Sequence, residues 1–197
     1  MPTLRHIGVL LAAGRGRRMG GTKQLTPWRT RSGTVPLVAA AYDAIKRICD
    51  DMIVVVGHEA EVVAGALVDR PFRRSESDPD APMIESIRSG LRTALRLNPN
   101  ATIVLHPGDH PTVHRTTLYR LLDLSNELPN HVCIPEYEGR GGHPVLIPPA
   151  VVSQIITAEC PGGLGQFLTD HPELCCRVVV SDRTILHDID TPTDLPP

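Results

Sequence analysis

Short apolar runs alternate along this chain with stretches of helical spacing. The runs Ile7–Leu11, Met52–Val56 and Ala101–Leu105 are almost wholly apolar. Runs of roughly four to eight such residues read as strands buried on both faces. Between them, Pro36–Cys49 places Leu37, Ala40, Ala41, Ala44, Ile45 and Ile48 on one side of a helix. Ala60–Val68, Met83–Leu97 and His114–Glu127 predict three further helices. Val132–Pro135, Pro144–Ile147 and Arg177–Val180 predict short strands, and Thr184–Asp188 is a further strand candidate. Arg70–Pro82 holds three prolines and many charges, which predicts a loop. Strands alternating with helices predict one α/β domain over residues 1–197, with a mostly parallel sheet and helices on both faces. Ligands of such sheets bind beyond the carboxyl ends of the strands, so the loops after Leu11 and Leu105 become the place to look.

Composition narrows the function classes. A chain of 197 residues buries a sizeable core. A net charge of -2 gives no basic field for nucleic acid or a membrane surface. Two Phe, three Tyr and one Trp leave little for base stacking. Five cysteines, odd in number and without a Cys-x-x-Cys pair, fit reduced thiols in a cytoplasmic protein. Arg5-His6, the first apolar run and Ala12-Ala13-Gly14 imitate a short signal peptide. That run is only about seven residues, at the floor of the pattern, and Arg15-Gly16-Arg17-Arg18 follows at once, so the expectation is cytoplasmic. No run approaches the ~18 apolar residues of a membrane span.

The chemistry concentrates after the first strand. Leu11 to Lys23 carries four glycines, three arginines and a terminal lysine. Glycine lets backbone N–H groups approach an anion, and Arg18 and Lys23 add charge where a triphosphate reacts. The dinucleotide fingerprint fails because the third glycine falls one place late. The P-loop fails because Thr22 precedes Lys23. Asp109, in Pro107-Gly108-Asp109-His110-Pro111, suits a magnesium ligand, or alternatively a turn cap. Asp188 and Asp190 offer a second carboxylate, or cap the turn into Pro192–Leu195. Gly90, inside the helix that carries Ser86, implies close approach of a base or ordinary packing. His143, in Gly142-His143-Pro144, suits contact with an acceptor or a structural role. His106, His110 and His143 lack a zinc-ligand spacing.

Together the Leu11–Lys23 loop with Gln24-Leu25, the Ser86–Leu91 segment, Gly108-Asp109-x-Pro111, and Gly142–Leu146 with Asp188–Leu195 resemble the MobA-like NTP transferases, most closely the molybdenum cofactor cytidylyltransferases. The resemblance spans residues 6–195. It implies a Rossmann-like nucleotidyltransferase fold and transfer of CMP from CTP, with Mg2+, to a molybdopterin-type phosphate, releasing pyrophosphate. It implies Arg18, Lys23 and Asp109 as catalytic residues. Nucleotide contacts fall to Leu11, Ala12, Ala13, Gly14, Gly16, Arg18, Lys23, Ser86, Gly90 and Gly108. The metal falls to Asp109 and Asp190, with Asp188 as alternative, and the acceptor to His143. A molybdoenzyme or its chaperone is the implied protein partner. Guanylyl or sugar-phosphate transfer in the same fold, and a non-catalytic nucleotide- or cofactor-binding accessory role, are the alternatives. The chain departs from the pattern at Pro107 and His110, at Asp78-Pro79 and Pro82-Met83 where Asn-Pro and Gly-Met are usual, around the base and acceptor pockets, and in a longer, more polar hairpin over Thr26–Thr34.

Overall fold

The first strand alternates, with Ile7 and Val9 facing one way and Leu10 and Ala12 the other, and this places it between two cores. The computed structural model describes residues 5–16 and 22–195. In chain order the elements are β1 (His6–Ala12), β2 (Pro27–Thr30), β3 (Gly33–Pro36), α1 (Leu37–Lys46), β4 (Asp51–Val56), α2 (Ala60–Gly65), β5 (Arg73–Glu76), α3 (Met83–Leu97) and β6 (Thr102–Pro107). The second half has α4 (Arg115–Glu127), β7 (Val132–Tyr137), β8 (Arg140–Gly141), β9 (Val145–Ile147), α5 (Pro149–Thr157), α6 (Gly163–Asp170) and β10 (Cys175–Val179).

The main sheet runs in the order β10-β7-β9-β6-β1-β4-β5, with β8 attached to β7. β1 pairs in parallel with β4 and β6, and β9 alone of the strands on that path runs antiparallel to both of its neighbours, β6 and β7. Ile7, Val9, Ile53, Val55, Ile103 and Leu105 pack against α3, α5 and α6 on one face. Leu10, Val54, Val56 and Val104 pack against α1, α2 and α4 on the other. The chain is therefore a single α/β domain with a mostly parallel sheet and helices on both faces, as the alternation of elements predicts.

Three sequence expectations fail for physical reasons. The expected loop Arg70–Pro82 contains β5, a polar edge strand on β4. Its only buried residue is Ser75, so no apolar run announces it; backbone pairing alone makes the strand. Thr184–Asp188 is not a strand. Arg183–Leu186 forms a 3-10 turn, capped by Asp182, whose carboxylate accepts from the Thr184 N–H. The helices α5 and α6 went unpredicted. Both are short, and two prolines open α5 while Gly162 and Gly163 open α6, which hides their spacing.

Candidate active site

The chain leaves β1 at Ala12 and loses its ladder partners there. Gln24 supplies replacements: its side-chain amide donates to the Ala12 carbonyl at 3.0 Å and the Gly14 carbonyl at 2.7 Å. The adjoining strand ends pack on the same segment. The Gly108 N–H donates to the Leu11 carbonyl at 2.8 Å, and the His58 N–H to the Ala13 carbonyl at 3.2 Å. A cavity of about 680 Å³ opens above these strand ends. It is lined by Leu11, Ala13, Gly14, Gly16, Lys23, Ser86, Gly108, Asp109, His143, Asp188 and Asp190, so most of the residues singled out from sequence meet in one place.

At its centre, the Lys23 ammonium donates to Asp109 Oδ2 and Asp190 Oδ1, each at 2.6 Å. These residues lie 86 and 167 positions away in sequence. Asp109 arrives on the turn that follows β6. Asp190 arrives because buried Ile189 anchors its segment, donating its N–H to the Asp109 carbonyl at 3.1 Å. Asp194 then fixes the next turn, accepting from the N–H groups of Asp190 and Thr191 and from the Thr191 hydroxyl. These hydrogen bonds hold the Asp194 carboxyl below its usual range. Burial works against the Lys23 ammonium, but its hydrogen bonds to Asp109 and Asp190 outweigh burial and raise its pKa. Lys23 therefore stays charged.

Asp109 Oδ1 is buried without a hydrogen-bond partner. An oxygen with no proton donor, beside a second carboxylate at the mouth of a cavity, suits a hard cation that takes one or two carboxylates and completes its shell with phosphate and water. Among the described residues no group of three or more His, Cys, Asp or Glu side chains makes a protein-only metal cage.

Three residues fare differently. Ala12 does not line the cavity; its side chain is buried in the core beneath α1, and only its carbonyl, held by Gln24, shapes the loop. Gly90 faces the sheet. A Cβ there would stand 2.5 Å from Val9 Cγ1 and 2.9 Å from Val55 Cγ2, so close packing explains this glycine and nucleotide contact does not. Arg18 lies outside the described residues. Sequence reasoning passed over Arg15, Asp80 and Asp194. Arg15 donates from Nε and Nη2 to the two Asp80 carboxylate oxygens and from Nη1 to His58 Nδ1, tying the glycine loop to residues 78–82 across the cavity. Only its place in a cation-rich loop could have marked Arg15.

His106, His110 and His143 also converge, with ring centroids 5.3 to 6.5 Å apart. His106 Nε2 donates to the His110 carbonyl at 2.8 Å, because a carbonyl can only accept. Burial pushes all three imidazoles down, His143 to about 4 and His106 well below its usual value. They form a neutral wall beside the carboxylates.

A family model described as the MobA-like NTP transferase domain matches residues 8–174. The chain belongs to this family. It is a nucleotidyltransferase of the MobA-like fold. Among its relatives is the nicotine blue oxidoreductase of Paenarthrobacter nicotinovorans, 31% identical over 93% of this chain and 91% of that protein. The molybdenum cofactor cytidylyltransferase of Escherichia coli is 25% identical over 94% of this chain and 91% of the relative. A molybdenum cofactor guanylyltransferase of Pseudomonas aeruginosa is 31% identical, but over 61% of this chain and 57% of the relative. Among solved structures, Rv0371c of Mycobacterium tuberculosis superposes with a TM-score of 0.81 at 27% identity, covering 96% of this chain and 95% of its own. It has also been solved in complex with manganese, with a TM-score of 0.76 to this chain.

Proposed function

We propose that this protein transfers a cytidylyl group from CTP, with Mg2+, to the phosphate of a molybdopterin-type acceptor. The observation that carries this reading is the Lys23 ammonium between Asp109 and Asp190 in a cavity that Gly14 and Gly16 also line. Asp109 and Asp190 are the residues to hold the metal, which supplies neutralisation of triphosphate charge. Lys23 and Arg18 hold phosphate oxygens. The acceptor phosphate forms the new bond to the α-phosphorus, the bond from that phosphorus to the bridging oxygen breaks, and pyrophosphate leaves. Positioning and fixed positive charge supply most of the acceleration in such transfers. The cytidylyl relative aligns over nearly the full chain, whereas the guanylyl relative aligns over part of it, and this favours CTP. The product fits delivery to a molybdoenzyme or its chaperone.

Calorimetric titration of CTP and GTP, each with Mg2+, tests the base. CTP is expected to bind tighter; equal or tighter GTP removes the cytidylyl assignment and leaves the transferase standing. A second reading follows from the relative named as an oxidoreductase, in which the same cavity serves a redox reaction. Pyrophosphate release from CTP and acceptor supports transfer, and its absence with every acceptor tried removes it.

A further inference from the structure

The cavity above the strand ends is short of positive charge. Among the described residues that line it, Lys23 and Arg15 are the cations, and Asp80, Asp109, Asp188 and Asp190 are the anions. Lys23 already lies between Asp109 and Asp190. A triphosphate entering this lining meets more carboxylates than cations, so the state of Arg15 matters.

Arg15 is occupied. Its Nε donates to Asp80 Oδ1 at 2.8 Å and its Nη2 to Asp80 Oδ2 at 2.5 Å. Its Nη1 donates to His58 Nδ1 at 3.2 Å. The two-pronged contact with Asp80 is the geometry in which a guanidinium also takes two oxygens of one phosphate. The Asp80 carboxylate therefore stands in the position a phosphate group suits.

Three features make this carboxylate replaceable. The Arg15 and Asp80 side chains are 31% and 55% exposed while lining the cavity, so the pair stands at its rim, where an ion pair in water contributes little to stability. None of residues 78–82 is buried, so their movement breaks no core contact. Their turn is held from within, by the Asp78 carboxylate accepting from the Asp80 N–H and the Asp78 carbonyl accepting from the Ala81 N–H. On the other side of the pair, Arg15 is flanked by Gly14 and Gly16, and Gly16 has a φ of +61°, so the backbone around Arg15 is free to re-aim it. A triphosphate brings several negative charges against the single charge of Asp80, and the competition favours the triphosphate.

We propose that Arg15 is a further phosphate-binding residue, that Asp80 holds it in the free protein, and that the phosphate chain of the nucleotide displaces Asp80 and opens the strap between the glycine loop and residues 78–82. The proposal rests on the nucleotidyl-transfer reading for its ligand, a nucleoside triphosphate. It makes Asp80 a built-in competitor that lowers nucleotide affinity.

The test is calorimetric titration of CTP, inorganic tripolyphosphate and cytidine into the parent, Arg15→Ala, Asp80→Asn and the double variant. Arg15→Ala is expected to weaken CTP and tripolyphosphate by at least about tenfold, the cost of a lost charge-assisted pair, and to leave cytidine unchanged. Asp80→Asn is expected to tighten both phosphate probes severalfold, and to change neither once Arg15 is alanine. Tightening that persists in the Arg15→Ala background shows that Asp80 merely repels phosphate, and overturns the exchange. So does an Arg15→Ala protein that binds tripolyphosphate like the parent, one that loses cytidine as much as CTP, or an Asp80→Asn protein that binds the phosphate probes more weakly. If a variant melts early, the Arg15 Nε–H resonance of the parent decides: tripolyphosphate is expected to move it and cytidine is not, and a resonance that tripolyphosphate leaves in place overturns the proposal. Pyrophosphate release is measured separately. Exchange at Arg15 in a protein that releases none from CTP with any acceptor keeps the Arg15 assignment and discards the transfer reading, whereas release by a protein whose Arg15→Ala variant binds CTP undiminished does the reverse.

Discussion

At the scale of single residues, the site turns on one cation shared by two anions. Lys23 neutralises Asp109 and Asp190 and, in the proposed reaction, meets phosphate; Lys23→Ala removes both, and turnover and melting read them separately. Turnover is expected to fall by ~10²–10³, the usual cost of removing a preorganised charge at a reacting group. The metal-free variant should also melt earlier than the parent, because two carboxylates then face each other without the ammonium between them, and added Mg2+ should restore part of that loss. Turnover at the parental rate would remove Lys23 from the chemistry. Asp109→Asn addresses the metal. The amide keeps the shape but loses the charge, so the half-saturating Mg2+ concentration is expected to rise at least tenfold while metal-free nucleotide binding changes little. A metal titration of turnover reads this directly, and an unmoved midpoint takes Asp109 out of the metal site.

At the scale of elements, what positions the site is the close approach of α3 to the sheet. Gly90 makes that approach possible, with Val9 and Val55 where a Cβ would stand. Gly90→Ala gains helix propensity of about 1 kcal/mol. It must also push valines in two central strands, and overpacking of this kind costs about 1–3 kcal/mol. A net loss of up to about 2 kcal/mol is expected, read as a lower urea midpoint with an unchanged slope. A stabilised variant would mean that α3 slides freely on the sheet. The same element shows why the sequence left Gly90 open between base contact and packing. Spacing reveals that a helix has an apolar face, but not which glycine on it lies beneath the neighbouring strand. The edge strand β5 escaped for the opposite reason. It has almost no apolar signal, and pairing with β4 alone makes it a strand.

Across the whole molecule, three histidines drawn from β6, the turn after it and the segment before β9 become a buried neutral cluster, and this gives stability a pH dependence. His143 titrates near 4 in the fold against 6.5 in a free chain, and His106 lies well below 6.5. Between those values the unfolded chain binds more protons than the folded one, so stability rises with pH through that window and levels off above it. Lowering the pH from about 7 to 4 should cost of the order of 3 kcal/mol from His143 alone. Urea unfolding at half-unit pH steps checks this, with the fall beginning near 6.5. Carboxylates held low by hydrogen bonds, such as Asp182, lose their contribution only at still lower pH. A urea midpoint that stays constant from pH 7.5 to 5 would show that the imidazoles are hydrated or paired in solution.

The sequence by itself determined the alternation of buried strands and amphipathic helices, the glycine- and cation-rich make-up of the Leu11–Lys23 loop, and the identity of Lys23, Asp109 and Asp190 as residues of interest. Each is a local property, since periodicity, glycine content and residue chemistry are all written within a few positions. The tertiary structure decided what depends on contact between distant segments. It put both carboxylates on one ammonium, turned Ala12 into the core and Gly90 onto Val9, and gathered three scattered histidines. Burial and proximity across 86 or 167 residues are set by how strands order themselves in the sheet, and no local pattern carries that order.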